Sequence, residues 1–349
     1  MSKAITAFNP SPARKAIFSI ASVVLGLWTF KTVNEISGPA FEPILQACMD
    51  KSIPQEQFAE LTGYHAYDPY VGLKIFDPLV CLITQFLLEL RETFPAGLFV
   101  WMSIITIALP LGMTQLVEAG RSDTSKKSPI YYPIIIGLLG QLFGISVIFP
   151  LIWVPSYIFG CGYGPATLYR FNFLVPILIP TVALSLFVFI APTETQWWTV
   201  SAGILGGPIP ALGGMVYWND KNTIPTTAKS LQDNIKNVKV YSRLLMPTAI
   251  FAWYALLFVT FDNLEGSLWD AIWTNAGPSV RFMTIDAGIL YLAYIMWFAF
   301  HSEIIAIKVL LLTFVVGPGG AGLIMLGKLE ELKANSNGIE LVGDKKKKA

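Results

Sequence analysis

Residues 74–97 read KIFDPLVCLITQFLLELRETFPAG, an apolar run with Asp77 near one end and Glu89, Arg91 and Glu92 at the other. The run is long enough to enter a bilayer as a helix, where an ionisable side chain is costly and usually faces a cavity or a partner. The rest of the chain is equally apolar. Of its 349 residues 54% are hydrophobic and 13% charged, and the mean hydropathy of +0.58 lies outside the range of ordinary soluble domains. The expected fold is therefore an all-α polytopic membrane protein, a single membrane-embedded helical domain over residues 1–349.

A helix needs roughly 20 mostly apolar residues to cross the hydrocarbon core. Eight or nine candidates are present, near 16–33, 75–91, 97–118, 130–158, 171–191, 197–218, 244–261, 283–302 and 304–327. The first is followed by a polar segment rather than a small-residue cleavage site, so it is expected to be retained. Residues 1–15, 35–73, 219–243 and a lysine-rich tail at 328–349 are left as non-membrane sequence. Prolines 110, 133, 150, 155, 176, 180, 208 and 210 punctuate the spans and predict kinks. Glycine clusters at 203–207, 213–214 and 317–322 permit close helix approach or a short break.

Lysine and arginine gather at residues 3–15, 121–127, 221–243 and in the tail, and no strict alternation of nine spans puts all four groups on one side. At least one span is therefore expected to be misread or re-entrant, with both chain ends cytosolic. The segments 130–158 and 197–218 and the junction FHSEIIAIK at 300–308 are the weak points. The terminal Lys346, Lys347, Lys348 and Ala349 are similar to the dilysine retrieval signal of endoplasmic reticulum membrane proteins; a polybasic tail meeting anionic lipid is the alternative.

A formal net charge of +1 gives no basic surface for nucleic acid. Cys48, Cys81 and Cys161 show no CxxC spacing and predict neither a disulfide framework nor a thiolate metal site. With His65 and His301 the only histidines, and no HExxH, GxGxxG or GxxxxGK[ST] pattern, no metal or nucleotide cofactor is expected.

The chemistry must then lie among the membrane helices. Asp77 shares a helix face with Cys81 and Thr84, while Glu89 lies about 18 Å further along. Glu89, Arg91 and Glu92 also read as an interfacial charge cluster. Glu118 closes the third span with Thr114 and Gln115 a turn behind. In VRFMTIDAGILYLAYIMWFAFHSE, residues 280–303, Asp286, Ala293, Trp297 and His301 fall on one face, with Tyr291 and Tyr294 farther round. For Asp286 and His301 a functional role and a helix-to-helix hydrogen bond are both open. Trp101, Trp153, Trp253 and Trp297 lie inside spans, Trp197, Trp198 and Trp218 at span ends, and Gln141 and Asn172 add polar atoms. Aromatic faces attract cations, and a carboxyl in an apolar pocket is held protonated, so an acid beside an aromatic wall can make and guide a carbocation.

The stretch FDPLVCLITQFLLELRETFPAG at 76–97 and VVGPGGAGLIMLGKLEEL at 315–332 resemble the fungal integral-membrane terpene cyclases of meroterpenoid biosynthesis, of the ascochlorin and ascofuranone cyclase type. The resemblance implies metal-free cyclisation of a farnesyl chain on an aromatic polyketide, begun by protonating its terminal epoxide or alkene. It implies a membrane-embedded carboxylate as the acid, with Asp77 in the matching FDP stretch first and Glu89 second. Residue reading adds Asp286, with His301 or Glu303 to remove the final proton and Trp101, Trp297 and Tyr294 to stabilise cations. The expected partners are a lipophilic prenylated aromatic substrate and membrane lipid. A proton-coupled transporter of a small lipophilic molecule is the alternative, since Gly/Pro-broken spans with acids at mid-depth also describe carriers. A membrane prenyltransferase would need aspartate-rich magnesium motifs, which are absent.

Overall fold

A computed structural model describes residues 10–50, 76–119, 127–160 and 228–336, together with Gln57 and Val200. The described residues are helical and contain no strand. In chain order the helices are α1 (Pro12–Met49), α2 (Phe76–Glu92), α3 (Ala96–Ala119), α4 (Pro133–Phe143), α5 (Ile145–Gly160, with one π turn at Phe149–Trp153), α6 (Ala228–Asn263), α7 (Leu268–Trp273), α8 (Pro278–His301) and α9 (Glu303–Ser336). Among the described residues five segments are long and apolar enough to cross a membrane: α1, α3, Val238–Asn263 of α6, α8, and Glu303–Lys333 of α9. The expected spans at 171–191 and 197–218 lie outside the described residues, as do Cys161, His65, Asn172, Trp197, Trp198, Trp218, the glycine clusters at 203–207 and 213–214, and Lys346–Ala349.

The faces of α1 show which solvent it is built for. Ile17, Ile20, Val24, Leu27 and Trp28 are exposed, while the stripe Ser22, Gly26, Thr29, Val33 and Ser37 is buried. Large apolar side chains point outward and small or hydroxylated ones inward, the pattern expected where lipid surrounds the bundle and close backbone approach holds it together. Gly26 packs against Leu151, whose Cβ would lie 2.7 Å from an added methyl. Next to it the Ser22 hydroxyl donates to the Pro150 carbonyl in the π turn. Phe251, Phe258 and Phe261 of α6 and Leu311, Phe314 and Val315 of α9 continue the exposed apolar surface.

Several expected boundaries move. The α1 helix begins at Pro12, capped by Ser11, and runs on through Pro39 and Pro43 to Met49, because Ser37, Ile44, Ala47 and Cys48 are buried in the bundle. Residues 35–49 are thus helix, not connecting segment. Cys48 and Cys81 form a disulfide, their Cα atoms 5.8 Å apart, which corrects the expectation of unpaired cysteines; helix packing brings them together across a separation that carries no sequence signature. Ala228–Val238 belongs to α6, not to a loop. The expected tail at 328 is helical to Ser336, because Leu329, Glu330 and Lys333 turn inward.

Two breaks shape the interior. The segment expected as one span at 130–158 divides at Gly144, which has φ +86°. The last helix divides at Gly317, with φ +74° and ψ 167°, a conformation open to glycine. Before this break Thr313 bonds Tyr291 of α8; after it Gly322 lies against Tyr294 and Lys333 against Trp297. The chain therefore leaves the His301 end of α8, reverses at Gly317 and returns to the same end. The first arm, Glu303 to Val316, is about 21 Å long, shorter than a bilayer core. Gly319 lies close against the carbonyl of Thr106, which Pro110 leaves without its helical N–H donor.

This reversal resolves the charge pattern. Arg14 bonds the carbonyls of Ala299 and Phe300, Lys239 pairs with Glu331, Lys333 reaches Tyr157, and Ser128, next to Lys127, packs on Gly160. The four basic groups that no alternation of spans could align meet, in their described members, at one end of the bundle.

Candidate functional site

Two buried carboxylates of the interior, Glu89 and Asp286, serve helix starts. The first N–H groups and last carbonyls of a helix lack partners within it, and the helix dipole favours an anion at the start and a cation at the finish. The α8 helix starts after Gly277, which has no side chain to cap it, and Glu89 of α2 takes over. Its Oε1 accepts from the backbone N–H of Ser279 at 2.9 Å and its Oε2 from the Ser279 hydroxyl. At the other end of α8, Arg14 of α1 donates to the carbonyls of Ala299 and Phe300. Asp286 does the same service for α5, whose start is again a glycine: it accepts from the backbone N–H of Ser146 at 3.1 Å and from the Ser146 hydroxyl. Glu89 and Asp286 are 5% and 4% exposed, so in both cases a glycine lets a buried carboxylate approach the helix start.

These placements bear on the expected site. Glu303 stands exposed at the first residue of α9 and pairs with Arg14 at 2.6 Å, away from the interior. Asp286, though in phase with Trp297 and His301 on α8, turns to the Gly144 break. Trp101 is half-buried and lies about 25 Å along α3 from Glu118. Asp77 is buried, 1% exposed, in the first turn of α2, one turn before the disulfide that ties α2 to α1.

What the structure does bring together is a polar chain at the basic end. Lys333 Nζ donates to Glu118 Oε1 at 2.8 Å and to the Tyr157 oxygen at 3.2 Å, and Tyr157 in turn lies 2.8 Å from His301 Nε2. Glu330 flanks the ammonium at 3.8 Å. An ammonium only donates, so the Tyr157 oxygen accepts from Lys333 and its own hydrogen is directed to His301, leaving Nε2 as the acceptor. Lys333 is 4% exposed and Glu118 fully buried, so each neutralises the other where an unpaired charge would be costly.

An aromatic wall encloses this chain. Phe149, Trp153 and Tyr157 stack along α5 with ring centroids 4.8 and 5.3 Å apart, and Tyr294 stacks on Trp297 along α8 at 5.8 Å. Trp153 and Trp297 meet at 6.2 Å, and Trp297 touches His301 at 5.0 Å. The Lys333 ammonium lies 5.5 Å from the Trp297 ring centre and 5.7 Å from that of Tyr157, within reach of both π faces. Tyr294 is fixed by its hydroxyl, 2.9 Å from Thr114 Oγ1.

Trp297, Tyr294 and His301 of the expected site are therefore assembled, while Lys333, Glu118 and Tyr157 join them from outside it. Lys333 fell in the expected tail and Tyr157 in the doubtful span. The available signal was Glu118, an acid one turn beyond Thr114 on an otherwise apolar helix, which calls for a cation from elsewhere. Among the described residues no group of acids, histidines and cysteines is arranged to hold a metal ion. The chain matches no family model, and comparison with curated proteins and with solved structures finds none similar to it.

Proposed function

We propose that this protein is a membrane-embedded terpene cyclase that protonates the terminal epoxide or alkene of a farnesylated aromatic polyketide and guides the resulting carbocation to a cyclic product in fungal meroterpenoid biosynthesis. The observation that carries the reading is the aromatic wall of Phe149, Trp153, Tyr157, Tyr294 and Trp297 closed at one end by the Tyr157 and His301 pair. Stacked π faces in a dry interior favour a passing cation. In this mechanism Asp77 supplies the initiating proton to the epoxide oxygen or the alkene. The tertiary cation is drawn along the wall as alkene π bonds close rings. The last C–H bond then breaks, its electrons form the product double bond, and the proton passes to the Tyr157 oxygen as that hydroxyl's own hydrogen moves to His301 Nε2. Glu118 and Lys333 hold Tyr157 in place as a neutral pair. The basic end faces the cytosol by the excess of lysine and arginine, and the lysine-ended tail addresses the protein to the endoplasmic reticulum.

The test is to supply membranes carrying the protein with a farnesylated phenol and with its terminal epoxide, without metal or nucleotide, and to follow products by mass spectrometry. A product of unchanged mass and new retention time, lost in Asp77→Asn at equal protein abundance, is expected. Intact substrates throughout would sink the cyclase reading. The broken α9 arm at Gly317 favours a second reading, proton-coupled transport of a small lipophilic molecule, for which flux in proteoliposomes driven by a proton gradient is the measurement.

A further inference from the structure

Several polar side chains around the aromatic wall hold one another. Tyr294, Tyr157, Glu118 and Lys333 all have hydrogen-bond partners. The indole N–H groups of Trp153 and Trp297 have none among the described residues, although both side chains are fully buried. A buried donor left without an acceptor is destabilising and uncommon in a finished fold. Two of them on indoles that meet at 6.2 Å, within one wall, call for a common cause.

The surroundings define what would satisfy them. Phe149 and Tyr157 stack on Trp153, and Tyr294 stacks on Trp297, while the two N–H edges have no acceptor among the described residues. An indole N–H donates and never accepts, so the counterpart is an acceptor and not a cation. It is not an anion either, because Lys333, the one buried cation beside the wall among the described residues, already has the carboxylates of Glu118 at 2.8 Å and Glu330 at 3.8 Å. Beyond the polar atoms of Tyr157, Tyr294 and His301, the wall is hydrocarbon.

We infer that Trp153 and Trp297 form a subsite for a neutral oxygen acceptor, an ether, epoxide or carbonyl, carried by an otherwise apolar ligand. Resting on the cyclase reading for the identity of that ligand, the inference assigns the indoles to holding the epoxide oxygen as it opens, and so favours an epoxide over a plain alkene. The same chemistry would be offered by a carbonyl on the aromatic head, and the two sources are separable by experiment.

The experiment measures equilibrium binding of unreactive tritiated probes to the purified full-length protein in nanodiscs. One pair is a farnesylated phenol ending in an oxetane and its cyclobutane isostere. The other is a saturated-tail analogue with an acetyl or an ethyl group on the ring. Wild type is expected to bind the oxetane about tenfold tighter than the cyclobutane, as one hydrogen bond in a dry site supplies. Trp153→Phe with Trp297→Phe is expected to bring that ratio to about one. Because phenylalanine also changes packing, Trp297 is separately replaced by benzothienylalanine, which keeps the bicyclic shape and removes the donor; the ratio is expected to fall there too. A preference for acetyl over ethyl that responds to the same changes would place the head at the subsite instead. No preference for oxygen at either end, or a preference that survives both kinds of replacement, overturns the inference. Cyclisation with no oxygen preference would leave the cyclase reading standing without this subsite. An oxygen preference without cyclisation would do the reverse.

Discussion

Glu89 reaches across the bundle to Ser279, accepting from both its backbone N–H and its hydroxyl, and so begins a helix that lies far away in sequence. Gly277 is the reason it can: a Cβ there would overlap Glu89 Oε1. The backbone at Gly277, with φ −77°, would accept any residue, so the requirement is space alone. Gly277→Ala is expected to destabilise by about 1–3 kcal/mol, and Glu89→Ala by about 1–2 kcal/mol through the lost cap. Thermal unfolding in detergent of the two variants and their combination should show the double change costing clearly less than the sum. Strict additivity would mean that the glycine and the carboxylate are not a unit.

Asp286 holds the start of α5, and asparagine keeps one oxygen able to accept from Ser146. Asp286→Asn is expected to leave cyclisation within about threefold of wild type, the scale of one weakened neutral hydrogen bond. Asp286→Leu should lower the thermal midpoint. Loss of all turnover in Asp286→Asn with an unchanged midpoint would instead make Asp286 the initiating acid and displace Asp77.

Lys333 and Glu118 are a buried pair whose members depend on each other. Lys333→Met leaves the buried carboxylates of Glu118 and Glu330 without this ammonium and is expected to cost about 3–5 kcal/mol, whereas Lys333→Met with Glu118→Met should recover part of that loss. The same unfolding measurement decides it: a double variant as unstable as the single would show that the pair is not a closed charge balance.

The Cys48 to Cys81 bond joins α1 to α2. Labelling of denatured, unreduced protein with a maleimide should therefore modify one cysteine per chain, and three after reduction. Replacing both by serine is expected to cost about 2–4 kcal/mol. Three labelled thiols before reduction would show that the bond is not formed.

The sequence displayed the cost of each buried charge but not how it is met. Asp77, Glu89 and Asp286 stood out because an acid in an apolar run is expensive. Nothing local distinguishes one that protonates a substrate from one that caps another helix, since the partner of Glu89 lies 190 residues away. Helical phase placed Trp297 and His301 together correctly, and their rings do meet. It also placed Asp286 with them, and there a tertiary feature, the Gly144 break, captured the side chain. Lys333 was hidden because a polar helix that turns inward looks like a tail until its partner is known. The apolar content and the helical class were legible, being sums over many residues. Span boundaries were less so, because single glycines at 144 and 317 redirect the chain.

The left-handed backbone at Gly317 also sets the parity of the chain's crossings. An uninterrupted helix through this point would carry Lys333 onward, away from the basic end of the bundle, and strand Glu118 inside. The end of the bundle to which the last described helix returns is thus set at a single residue, and accessibility labelling of a cysteine placed at Ser336 would reveal on which surface that helix finishes.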